Sequence, residues 1–364
     1  MKMTVKINKL FKNKTFKSNF ITYSMVIAAY IVMQVLIATG NLSSLLQGLL
    51  VPLCAYAILA VSLNLTVGIL GELSLGHAGF MCVGAFASAF FSKCMQEAIP
   101  YAGVRFAAAI LIGAVSAGIF GILIGIPVLR LKGDYLAIVT LAFGEIIKNI
   151  INILYVGIDE KGLHLSFTST MDLNMTENGT VIIKGAQGIT GTPNDSNFTI
   201  GVILLLVTLF IVLNLVHSRD GRAIMAIRDN TIAAESVGIN ITKYKLMAFS
   251  ISAALAGVAG VLYAHNLSTL AATPKNFGYN MSIMILVFVV LGGIGNVRGS
   301  VISAVVLTLL PELLRGLNNY RMLIYAIVLI AMMLFNWAPK AIEWREKIVY
   351  KLRFRKRKTP KEAK

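Results

Sequence analysis

The sequence predicts an all-α, polytopic membrane protein of about ten transmembrane helices, each needing about 20 mostly apolar residues. Composition is the first reason. Over 364 residues, 57% are apolar and only 13% carry charge, and the mean hydropathy is +0.78. A water-soluble domain of this length has too few charged residues here to cover its exterior. The second reason is continuity: the apolar runs are of membrane-crossing length and lack the period-two alternation of a barrel strand, so helices satisfy the backbone in hydrocarbon.

Ten runs qualify: 20–39, 47–67, 78–96, 103–129, 133–157, 197–217, 244–266, 280–295, 299–315 and 320–338. They define a transmembrane body over 20–338, flanked by a basic tail at 1–19 and another at 339–364. The first run follows its basic tail directly and is long enough to span, which argues against a cleavable signal peptide. Cys54, Cys82 and Cys94 lie in or beside apolar runs without metal-ligand spacing and read as small hydrophobes.

The third reason is the placement of charge. With both termini in the cytoplasm, 25 of the 33 Lys and Arg residues fall on the inner side, as the positive-inside rule requires. The net charge of +17 is then a topology signal rather than a nucleic-acid footprint. The polar stretch 157–197 falls outside.

Four features can carry mechanism. The loop from Ser218 to Lys245 contains a small amphipathic helix that Asp229 or Asn230 can cap and Gly238 can end. Its Ala233, Ala234 and Glu235 place two methyl groups and one carboxylate on a short element, which suits either a docking knob or an ordinary surface loop. In 68–79, four glycines with Glu72, Ser74 and His77 interrupt an apolar stretch. That pattern fits a broken membrane helix whose free amides and carbonyls meet a zwitterionic solute, or a tight cytoplasmic turn between two spans. Glu145 lies inside the fifth run, where a carboxylate is costly. It is a pathway candidate or half of an intrahelical pair with Lys148. Gln34, Asn64 and His265 read as interhelical hydrogen-bonding groups.

The loop around Ala233-Ala234-Glu235 resembles the Glu-Ala-Ala coupling loop of ABC importer permeases. Its wording, together with LNLTVGILGELSLGHAGF from Leu63, GDYLAIVTLAFGEI from Gly133, GITGTP from Gly188 and LGGIGNVRGSVISA from Leu291, is similar to the branched-chain amino acid permease family, M-type subunit. The resemblance implies ABC importer permease architecture and a coupling loop that includes Arg222, Ala233, Ala234, Glu235 and Gly238. It also implies two cytoplasmic ATPase subunits, a second homologous permease and an extracytoplasmic binding protein delivering leucine, isoleucine or valine. The implied location is the bacterial cytoplasmic membrane.

A phosphate-cradling Gly-Lys-Ser/Thr motif is not evident, so ATP hydrolysis is expected in separate subunits and not in this chain. No cofactor or metal is implied, because the four histidines, at 77, 164, 217 and 265, are scattered. An ion-coupled secondary transporter is the rival within transport, and a membrane-embedded enzyme the rival outside it. Within the importer reading, urea or a nucleoside is the alternative cargo.

Overall fold

The computed structural model describes residues 14–131, 133–160, 162–176 and 179–337. The C-terminal tail and most of the N-terminal tail read from the sequence lie outside them. The described residues fall into two compact units, divided between 305 and 306.

In the first unit the chain opens with α1 (Lys14–Ala38) and α2 (Ser44–Asn64), which Ser43 caps by accepting from the Leu46 amide. The second helix widens into a π stretch, Leu65–Leu70, and ends at Gly71, whose φ of 81° is left-handed. Five non-helical residues follow before α3 (His77–Cys94), then α4 (Ala102–Val128) and α5 (Asp134–Ile153). After α6 (Phe198–His217) come α7 (Arg219–Asp229), α8 (Thr231–Ser236) and α9 (Ile241–Ala264). A short α10 (Pro274–Phe277), α11 (Tyr279–Gly292) and the first part of α12 (Val297–Leu313) complete the unit. The second unit holds the end of α12, a 3-10 stretch and α13 (Arg321–Trp337).

Among the described residues, eight helices are long and apolar enough to cross a membrane. Two further apolar helices, α3 and α13, are 18 and 17 residues long, so each of the ten predicted runs holds a helix. The fifth ends earlier than read, because a strand begins at Tyr155.

Helices α2, α3 and α9 form the buried centre, and small residues let them close. A methyl group added at Gly84 would stand 2.5 Å from the Gly257 Cα, and one at Gly260 would stand 2.1 Å from the Met81 carbonyl oxygen. Backbones this close give the packing and interhelical contacts that hold helices together in lipid, where the hydrophobic effect no longer acts between them. The outer helices do the reverse. α4 and α6 expose Leu111, Val115, Ile119, Ile203, Val207 and Phe210, side chains that only hydrocarbon would accept in such numbers.

The fold is not helical throughout. The polar stretch after α5 supplies four strands, and with a fifth from beyond α9 they form an antiparallel sheet in the order β2-β1-β3-β4-β5. Its strands are β1 (Tyr155–Asp159), β2 (Gly162–Ser166), β3 (Thr180–Lys184), β4 (Ile189–Thr190) and β5 (Thr269–Leu270). The GITGTP motif supplies β4, and its first glycine is required by contact. A methyl at Gly188 would stand 1.9 Å from the Leu270 carbonyl oxygen, and φ there is +70°. The Arg105–Asp195 ion pair at 2.9 Å, the Lys93 bond to the Thr190 carbonyl and the Asn152 bond to the Ala272 carbonyl at 3.0 Å tie this layer to α3, α4 and α5.

Candidate coupling and pathway site

The 24 residues of α9, at 1.5 Å each, separate its two ends by roughly 36 Å. The sheet lies at its C-terminal end, and the loop 218–240 lies at its start. Polar caps cut that loop into pieces. Ser218 accepts from the Gly221 amide at 3.0 Å, Asn230 from Ala233 at 3.0 Å and Asn240 from Lys243 at 3.0 Å, so α7, α8 and α9 each start on a side-chain oxygen. Gly238, with φ +85°, closes α8 in a Schellman turn. Its amide reaches the Glu235 carbonyl at 2.9 Å, and the Ile239 amide reaches that of Ala234 at 3.1 Å.

The predicted helix and both of its caps are therefore present, with Asn230 and not Asp229 at the start. Its faces differ from the sequence expectation in one respect. Ala234 is only 3% exposed, turned into its own chain, so its methyl group anchors the knob instead of lining its outer face. Ala233, Glu235 and Gly238 are exposed, and two residues that spacing did not single out dominate the surface: Ile232 at 80% and Val237 at 75%. Arg222 is exposed at the start of α7 and donates to the His217 carbonyl at 3.2 Å.

The other candidates gather where α2 breaks. Glu72 is paired with Lys245, four residues into α9. The chain then runs extended into the bundle, with the Leu75 amide donating to Thr140 Oγ1 on α5 at 3.0 Å and the Ala78 amide to Ser282 Oγ on α11 at 3.2 Å. Side chains from two helices thus satisfy backbone amides that hydrocarbon would leave bare. Ser74 is buried, and its Oγ has no partner among the described residues.

His77, 1% exposed, is bonded through Nε2 to Ser252 Oγ at 2.8 Å, and Ser252 donates to the Ser62 carbonyl at 2.5 Å. The serine has one proton and the carbonyl takes it. His77 Nε2 must then donate, and Nδ1 is left as an acceptor with no partner among the described residues.

Glu145 forms the intrahelical ion pair with Lys148 that the spacing allows, and its other oxygen accepts from the Tyr279 amide at 2.7 Å. A carboxylate at the first amide of α11 suits the positive end of a helix. Glu72, Ser74 and His77 are thus one segment. Glu145 stands beside it on α5, since a methyl at Gly79 would come 2.6 Å from the Gly144 Cα, but its carboxylate serves α11.

The three predicted interhelical groups all bond. Asn64 Oδ1 accepts from the Gly295 amide at 2.9 Å, Gln34 donates to Thr199 at 3.3 Å, and His265 pairs with Ser92 at 2.8 Å.

The family described as the branched-chain amino acid transport system permease component matches residues 45–335, a span that holds the broken helix, the sheet and the capped knob. The chain belongs to this family. Among its relatives, the high-affinity branched-chain amino acid transport system permease protein LivM of Salmonella typhimurium is 35% identical over 300 residues, covering 79% of this chain and 67% of the relative. LivM of Escherichia coli is 34% identical over 296 residues, with the same coverage of 79% and 67%. The permease protein LivH of Salmonella typhimurium is 24% identical over 257 residues, covering 69% of this chain and 79% of the relative. No solved structure matches the chain. The protein is a multi-pass membrane permease component, and its broken helix and capped knob are features of that permease.

Proposed function

We propose that this permease is one membrane half of an ATP-driven importer of leucine, isoleucine and valine in the bacterial cytoplasmic membrane. Its partners are a second homologous permease, two cytoplasmic ATPase subunits that carry out the hydrolysis, and an extracytoplasmic binding protein. Both termini and Arg222 face the cytoplasm, and the sheet faces outside. The likeness to LivM supports the cargo, and the likeness to LivH supports a second, related permease half.

The observation that carries the coupling reading is α8. It is a six-residue helix fixed at both ends by caps and from beneath by Ala234, yet it presents Ile232 and Val237 to solvent beside Ala233, Glu235 and Gly238. A polar loop gains nothing from two bare aliphatic side chains unless another protein covers them. The knob docks into an ATPase subunit. Glu72, Ser74 and His77 line the solute path, His77 Nδ1 offering an acceptor to an ammonium group, and Glu145 holds α11 at its edge.

Ile232→Asp and Val237→Asp test the docking. Each changes only an exposed side chain, so the permease is expected in the membrane at its normal level while ATPase subunits no longer co-purify and leucine uptake is lost. Wild-type recruitment and uptake in both variants would remove α8 as the coupling element.

A further inference from the structure

We infer that Arg228 is the positioning residue through which the knob moves the break in α2, an inference that rests on the coupling reading of α8. Arg228 sits in the last turn of α7, two residues before the Asn230 cap. Its guanidinium faces two ways. Nε and Nη2 both donate to Asp229 Oδ1, at 3.1 and 3.0 Å, while Nη1 donates to the Gly68 carbonyl at 2.9 Å.

That carbonyl is one a helix cannot satisfy by itself. It lies in the π stretch just before the left-handed turn at Gly71, and the chain leaves the helix before any amide comes into register with it. Helix C-terminal carbonyls take cations well, because they carry the negative end of the macrodipole. The arginine reaches Gly68 by lying across Gly71, where an added methyl would stand 2.5 Å from its Cγ. One glycine therefore serves both the turn and the passage of the arginine stem.

The far side of the knob makes a second attachment. Lys245, in the second turn of α9, is paired with Glu72, one residue past the turn. The elements entering and leaving α8 thus both hold the segment 68–72, which runs on into Ser74 and His77. A displacement of α8 by a closing ATPase pulls the same five residues from two sides and shifts Ser74 and His77 with them. The Arg228 side chain is 40% exposed, and ion pairs so open to water contribute little to folding. What the guanidinium contributes beyond that pair is its bond to the Gly68 carbonyl, which ties the last turn of α7 to the break in α2.

The test is the complete importer in proteoliposomes, read as radiolabelled leucine taken up per ATP hydrolysed. In Arg228→Ala the ATPase subunits are expected to remain bound and to hydrolyse ATP at their basal rate, while leucine per ATP falls about fivefold or more, the lower end of coupling between linked sites. Arg228→Lys, which keeps one charged donor, should recover much of that ratio. Arg228→Gln keeps the stem over Gly71 without the charge and should behave like Ala if the alanine variant is poorly expressed. Wild-type leucine per ATP in both neutral variants would overturn the role of Arg228. Ile232→Asp separates the two readings. If it releases the ATPase subunits while the Arg228 variants stay coupled, only the connection falls. If it also stays fully coupled, α8 is not the docking element and the inference falls with it.

Discussion

Two buried histidines of this permease are each joined to a serine, one on the sheet side of the bundle and one at the break, and the pairs are built differently. His265 Nδ1 lies 3.0 Å from the Val261 carbonyl, which can only accept, so Nδ1 donates and Nε2 accepts from Ser92 at 2.8 Å. Both nitrogens are used, and Phe106 meets the ring edge-on at a centroid distance of 5.0 Å. His77 donates to a serine whose own proton is already committed, which leaves Nδ1 unpartnered among the described residues, as is Ser74 Oγ three residues earlier. Unsatisfied buried polar atoms are costly and rare. Among the described residues Arg105 Nε and Ser196 Oγ on the sheet side lack partners too, so what sets the break apart is that His77 Nδ1 and Ser74 Oγ lie where the backbone itself leaves the helix, and we propose that the closed pair serves structure and the open one function.

The closed side should fail first when its charges are disturbed. Arg105 is buried against Asp195, and removing one partner of a buried pair leaves an uncompensated charge that costs about 3–5 kcal/mol. Arg105→Ala is therefore expected to lower the thermal midpoint of the purified permease and its level in the membrane. An unchanged midpoint would mean that water already reaches Asp195 and that this side is not closed. His265→Phe is the milder change. It keeps the ring beside Phe106 but strips Ser92 of its acceptor, a loss of about 1–3 kcal/mol. Uptake per folded molecule should stay the same, and a drop in uptake without a drop in stability would make His265 a pathway residue and erase the distinction.

How much of this was legible in the sequence depends on how local the signal is. The helices follow from runs of apolar residues, and the caps of α8 follow from Asn230 and Gly238, each read within a few positions of itself. The sheet does not follow, because its strands are two to five residues long and β5 comes from beyond α9, some 80 positions after β4. The inward turn of Ala234 was hidden for a similar reason: which side of a six-residue helix faces out depends on what it rests on. Glycines in 68–79 were visible as a break, but a broken helix and a cytoplasmic turn predict the same glycines. The partners of Gly68, Gly71, Gly76 and Gly79, which are Gly295, Arg228, Thr140 and Gly144, come from distant parts of the chain, and they show what the small residues admit.

The smallest change gives the sharpest test of the open side. Ser74 Oγ makes no hydrogen bond among the described residues, so Ser74→Ala removes a hydroxyl that carries a desolvation cost without a bond that holds the fold. Stability should stay within about 0.5 kcal/mol of the parent, or rise slightly. If the hydroxyl waits for the solute, the permease loses one hydrogen bond to its cargo during passage. At a net 0.5–1.5 kcal/mol, that loss slows leucine uptake roughly two- to tenfold at equal amounts of assembled importer. Stability and uptake then move independently, which a residue with a purely structural role cannot do. A fall in thermal midpoint matching the fall in uptake would show that Ser74 holds the break together, and the open pair would then be structural after all.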